Sequence, residues 1–232
     1  MTGLAGCGSV TNYEFSAPPV VLPTDTLTDT NYQTLINEPV VAKRSRTVGD
    51  VEVTATVESH VTVYGVPDKT RRGTATEPTF GAVSTPRASV MSRSFNPLAR
   101  RSLANLPTSA TGVRFLQRTG LDEVGHPRSR IRWERGPSLI VGREGTCLGI
   151  ETRFESYGGV LGGDPPSVAF VHLTRVAAES VVITAAIYGH DIQRPGRSFV
   201  GPDSGYLSPD VFNESAGAFA DMCAALEYRG KE

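Results

Sequence analysis

The chain has 232 residues, a formal net charge of −1, 39% apolar and 20% charged residues; this allows one sizeable hydrophobic core and excludes disorder throughout. No apolar run is long enough to cross a bilayer, so attachment to a membrane needs a lipid or a partner. The 24 Gly and 16 Pro favour many turns and short strands over long helices.

In chain order, "LAGC" (4–7) comes first, a small-residue pair before a cysteine with leucine three back, the pattern at which lipoprotein precursors are cut and lipidated. Only Met1–Gly3 precede it, which predicts a true start upstream. Residues 1–14 read as signal remnant and short tether, and 15–232 as a single domain. "DTLTDTNYQTLI" (25–36), with Asp and Thr as cap candidates, fits a short helix. In "DVEVTATVESHVTVYG" the apolar Val51, Val53, Ala55 and Val57 alternate with polar residues, the pattern of a half-buried strand. Residues 66–79 read as a polar loop. Val83, Ala88, Val90 and Phe95 predict extended structure, broken or bent at Pro86. Asn96–Pro97 opens a predicted helix that Pro107 limits, and a second helical piece ends at Gly120.

From residue 129 the pattern returns to strands: "SRIRWERG", "SLIVG", "CLGIETRFESY", "SVAFVHLTRV" and "SVVITAAIYGHDI", with "AAES" (177–180) closing a hairpin. "VGREG" and "GGVLGGDPP" read as turns. The C-terminal "SPDVFNESAGAFADMCAALEYRG" is the clearest helix. Val211, Phe212, Ala216, Phe219, Met222, Cys223 and Leu226 recur every three to four residues, with Ser208 as cap and Gly230 after the end. Strand runs with few, segregated helices define an α+β class. The expectation is a mostly antiparallel sheet packed against a few helices, the C-terminal one closing the sandwich.

Chemistry-bearing motifs are scarce. His60 and His172 fall on strands, His126 and His190 in predicted turns, and none has metal-ligand spacing. No nucleophile elbow or nucleotide fingerprint is present, and "GPDSGY" (201–206) reads as a loop, so no cofactor is expected. Of 23 basic residues only Lys43, Lys69 and Lys231 are lysines, and residues 87–135 carry ten Arg against three acids, net +7. Within that stretch Arg128, Arg130 and Arg132 share one face of a strand with Trp133 on the other, which argues against a base-stacking platform for nucleic acid; the plain reading puts Ile131 and Trp133 in the core with the arginines wet, and the alternative is a contact to an anionic envelope component. Cys147 and Cys223 are either two buried thiols or a disulfide of an exported protein.

The order of "LAGC", "YEFSAPPVVLPTDTLTDTNYQ", "VSTPRASVMSRSFNPL" and "VHLTRVAAESVVITAAIYGHDI" resembles an uncharacterised family of haloarchaeal lipoproteins, whose members carry a lipobox followed by an STPxVSxxGRxFNP-type motif. The resemblance implies an extracytoplasmic α+β domain of unknown function, held to the membrane by a lipid on Cys7, with no family catalytic residues. The expected role is a surface binding or structural module. The alternatives are an enzyme assembled from distant residues, His172, Arg175, Asp191 and Glu151, or an unanchored cytoplasmic protein, which is where the chain as written would stay.

Overall fold

The computed structural model describes residues 10–48, 50–65, 79–90, 92–96, 133–161, 167–191 and 209–229. These form twelve strands and two helices: β1 (Val10–Ser16), β2 (Val20–Val21), α1 (Thr24–Thr30), β3 (Gln33–Val48), β4 (Val51–Gly65), β5 (Thr79–Thr85), β6 (Ser89–Val90), β7 (Arg93–Ser94), β8 (Trp133–Cys147), β9 (Ile150–Leu161), β10 (Ser167–Ala177), β11 (Val181–Asp191), α2 (Pro209–Ala225) and β12 (Glu227–Tyr228). Eight of them build one mixed sheet, in which only the β1–β4 pairing is parallel. The sheet runs β3-β4-β5-β11-β10-β9-β8. Strands β1 and β5 share the same edge of β4, β1 against Glu52–Glu58 and β5 against His60–Gly65.

Hairpins account for most of this order. Strands β10 and β11 join through Ala178–Ser180, where the Ala178 N–H donates to the Ser180 carbonyl at 3.0 Å, so the hairpin expected at 177–180 is present. Strands β8 and β9 join through Leu148 and Gly149, both at positive φ (53° and 72°), the backbone of a tight hairpin turn. "CLGIETRFESY" is therefore not one strand but the end of β8, this turn and β9. Leucine is costly in the left-handed region. Here its side chain packs against the core and its N–H donates to the Cys223 carbonyl at 3.3 Å, so α2 holds the turn in place.

One face of the sheet is lined by even-numbered residues of β5, β9, β10, β11 and the second half of β4. Helix α2 covers it with Ala216, Phe219, Met222 and Cys223, and Leu226 follows. The ring of Phe219 meets those of Phe80, Phe154 and His172. The helix stops at Ala225, short of the expected Gly230, because Glu227–Tyr228 pair with β2 as a two-stranded ribbon. On the other face, Val53, Ala55 and Val57 pack with Ala88, Val90 and Phe95. Strands β10 and β11 are buried on both faces: Leu173, Ile183 and Ala185 are as inaccessible as Thr174, Val182 and Thr184.

Other expectations need correction. The helix foreseen over 25–36 is α1 alone; Leu35 and Ile36 belong to β3, a long strand that the sequence reading missed. Its N-cap is Pro23, without a side-chain cap, and Asn31 in the left-handed conformation ends it. Strand β1 starts at Val10, inside the expected tether. His190 lies in β11 and not in a turn. "VGREG" is strand β8 and not a turn. A Cβ on Gly142 would meet the Arg153 guanidinium, and one on Gly145 would meet the Phe154 ring, so glycine is needed there for side chains crossing from β9. Gly158 and Gly159 likewise lie within β9.

Both long edges of the sheet carry features that discourage further pairing. Strand β3 has Pro39, Lys43, Arg44 and Arg46 along it, and β8 pairs with β9 through three irregularities of register.

Candidate functional site

Polar groups buried in an apolar layer are where chemistry or specificity would reside, and the face beneath α2 holds a connected set. His172, 1% exposed, sits mid-β10, where strand alternation turns it toward α2. Its Nδ1 lies 2.8 Å from the Ser156 hydroxyl of β9, its cross-strand neighbour. Its Nε2 lies 3.0 Å from the Ser215 hydroxyl of α2. Ser215 donates to the Phe212 carbonyl one turn back, at 2.9 Å. That assigns every proton: Nε2–H donates to Ser215, and Nδ1 accepts from Ser156.

The rings of Phe170, Tyr188, Phe212 and Phe219 surround this imidazole. Burial, and secondarily the nearby Arg143, push its pKa down to about 4, so it is neutral at ordinary pH. Arg143 itself donates to the Asn213 side chain at 2.7 Å and lies over the Phe212 ring. A serine hydroxyl directed at a neutral imidazole is the arrangement of an activated nucleophile. Here the imidazole is oriented by a second serine and not by a carboxylate, and all three side chains are buried. The set docks α2 on the sheet; it offers no surface for a substrate.

Next to it lies a cluster of phenols and thiols. Cys147 and Cys223 are both free and fully buried, and the Thr184 hydroxyl lies 3.3 Å from the Cys223 sulfur. Burial, with Cys147 alongside, raises the Cys223 thiol well above its ordinary value. Tyr32 is pushed up to about 12 by burial, and Tyr188 is raised further by burial and by its neighbours Tyr32 and Cys223. The Tyr188 hydroxyl is buried with the Tyr32 phenol as its neighbour, and makes no hydrogen bond of good geometry.

The described residues of "STPRASVMSRSFNP", 84–90 and 92–96, form a clasp. Asn96 donates from Nδ2 to the Thr85 hydroxyl at 2.5 Å and to the Pro86 carbonyl at 2.6 Å, and the Phe95 N–H donates to the Ala88 carbonyl at 2.9 Å. Ser84 reaches Ser180 at 2.7 Å and Thr85 reaches Ser59 at 2.7 Å, tying the clasp to the β10–β11 turn and to β4. The conspicuous string thus has a packing role: it covers the Val53–Val57 face of β4.

The residues expected to carry function are not brought together. Cys7, Arg128, Arg130, Arg132, His126 and the two helical pieces after Asn96 lie outside the described residues, as does "GPDSGY". Alternation separates two members of the enzyme set: His172 faces α2, whereas Arg175, three residues on, faces the opposite side of β10. Glu151 is exposed on β9, and Asp191 ends β11 opposite Ser167. Among the described residues no three His, Cys, Asp or Glu side chains are grouped to hold a metal ion, and no helix is long and apolar enough to cross a membrane. Ser156 and Ser215 escaped the sequence reading. The available signal was a serine on the apolar stripe of α2, one turn before Phe219.

A mostly β, mixed-sheet α+β domain with its buried polar groups spent on internal docking is the class that fold and site define. The chain belongs to the family described as a domain of unknown function (DUF6517), whose model matches residues 19–221. No curated protein matches the sequence.

Proposed function

We propose that the protein is an envelope-anchored module with a binding or structural role, held to the membrane by lipid on Cys7. The carrying observation is that the first strand begins at Val10, three residues past the cysteine of "LAGC". Three residues reach at most about 10 Å, so a lipid on Cys7 would hold the sheet at the bilayer surface. A stable hold requires a two-chain anchor, since one acyl chain binds only marginally. The commitment of the buried His172 and its serines to internal hydrogen bonds supports a non-enzymatic role. The same reading makes the chain a haloarchaeal lipoprotein with sheet and helix closed as a sandwich, and gives Arg128, Arg130 and Arg132 to an anionic envelope component.

Intact mass spectrometry of the protein from its native host, after partition into detergent, tests the anchor. A mature species starting at Cys7 with added lipid mass is expected, lost in the Cys7→Ser variant. An unmodified chain retaining Met1 or Thr2 in the aqueous phase overturns the anchor and with it the envelope location.

A further inference from the structure

Cys147 ends β8 and Cys223 lies near the end of α2, 76 residues apart in sequence and side by side in the core. The Leu148 N–H, the atom next to the Cys147 carbonyl, donates to the carbonyl of Cys223 at 3.3 Å. That backbone bond holds the chain at Cys147 against the chain at Cys223, and both side chains lie in the same core cluster; a disulfide needs Cα atoms about 4.4–6.8 Å apart. The thiols neighbour one another, no other cysteine is described, and neither is needed as a hydrogen-bond donor to a charged group. We propose that Cys147 and Cys223 are the two halves of a structural disulfide that staples the β8–β9 turn to α2 when the protein folds in the presence of a disulfide oxidant. The proposal does not depend on the anchor at Cys7.

The chemistry is thiol–disulfide exchange with a small-molecule disulfide. One cysteine, as thiolate, attacks a sulfur of the oxidant; a mixed disulfide forms and one small thiol leaves. The second thiolate attacks the protein sulfur of that mixed disulfide, the Cys147–Cys223 bond forms and the second small thiol leaves. The protein loses two protons and two electrons, and the oxidant takes them up to become two thiols. Burial sets when this happens. In the folded, reduced protein both sulfurs are shielded from an oxidant and Cys223 is held protonated, so exchange proceeds while α2 is still undocked. Once formed, the bond is shielded from reductant by the same packing. It also secures Leu148 in its left-handed turn, which in the reduced protein depends on one backbone hydrogen bond and side-chain packing.

The test uses the full chain carrying Cys7→Ser, which leaves these two thiols alone, refolded from denaturant with glutathione in oxidised or reduced form. The expected product of oxidative refolding is lighter by two hydrogens, resists alkylation under denaturing conditions, and yields one linked peptide pair containing Cys147 and Cys223. Its Tm exceeds that of the reduced form by roughly 10 °C. Oxidation of already folded, reduced protein is slower than during refolding by about tenfold or more. Adding Cys147→Ala abolishes the difference between the two forms. If both thiols remain alkylatable after oxidative refolding, or if the linked form melts at or below the reduced one, the proposal fails. The mass and alkylation readouts need only the parent chain, so a poorly folding Cys147→Ala variant would not blunt the test.

Discussion

The two ends of β4 live in different surroundings. From Val61 to Gly65 every residue is buried; the strand runs between β3 and β5, with the Tyr64 hydroxyl accepting from the Leu22 N–H at 2.8 Å and Thr62 donating to the Val20 carbonyl at 3.0 Å. From Val51 to Glu58 it runs between β3 and β1, and burial alternates strictly, Val53, Ala55 and Val57 inside and Glu52 and Glu58 outside. In the inner region polar groups are held by other protein groups; in the outer one they face water. The inner region should therefore respond steeply to small changes and the outer one hardly at all.

The largest expected break comes at Phe219, which fills the space between the rings of Phe80, Phe154 and His172. Phe219→Ala should cost about 3–5 kcal/mol in urea unfolding, through lost burial and the cavity left in a layer that cannot collapse. A loss below 1 kcal/mol would mean that α2 is not an integral cover of the sheet.

Acid should act on the inner region through His172. Its folded-state pKa, about 4, lies below the unfolded value of 6.5, so the unfolded chain binds the proton first. Stability is unaffected above pH 6.5, falls as pH drops through the window between 6.5 and 4, and levels off below it. The total loss should approach about 3 kcal/mol. The His172→Gln variant should lack this component, so the difference between the two stability–pH curves isolates it. Parallel curves would remove His172 from the buried network.

The same contrast explains what could be read from the sequence. Alternation in Val51–Val57 was legible because one face is wet. The second half of β4, Val61-Thr62-Val63-Tyr64-Gly65, is buried on both faces, so its Val–Thr alternation does not separate core from solvent. Strand β3 failed for the opposite reason: most of its residues are exposed, so "QTLINEPVVAKRSRTV" has neither an apolar stripe nor an apolar run. Helix α2 was legible through its three-to-four spacing, but its end depended on β12 pairing with β2, across more than 200 residues of chain. Ser156, His172 and Ser215 come from three elements, and no local pattern announces that they meet. The glycines of β8 misled because their cause, Arg153 and Phe154, lies on the neighbouring strand.

Those glycines give a paired test of smaller size. Gly145→Ala would drive a Cβ into the Phe154 ring, which must move within a packed layer, and should cost about 1–3 kcal/mol. Gly217, on the wet side of α2, has nothing within 4 Å of the added carbon. Gly217→Ala should stabilise the protein by about 0.5–1 kcal/mol, the helix preference of alanine over glycine. Equal effects of the two changes would dissolve the distinction between the layer beneath α2 and the solvent side of that helix.

The smallest effect on stability should come from the edge strand, and there the reading is assembly. Pro39 and Lys43 lie exposed on β3, and Val41 between them is 55% exposed. Replacing both, Pro39→Val with Lys43→Val, changes no buried contact and should alter unfolding by no more than about 0.5 kcal/mol. It also restores an N–H at position 39 and removes a charge, turning the middle of β3 into a flat apolar edge of the kind that recruits another strand. Light scattering should therefore show concentration-dependent association of the double variant, while the parent chain stays unchanged at the same concentrations. If the variant is as free of association as the parent, Pro39 and Lys43 are not what keeps this edge unpaired.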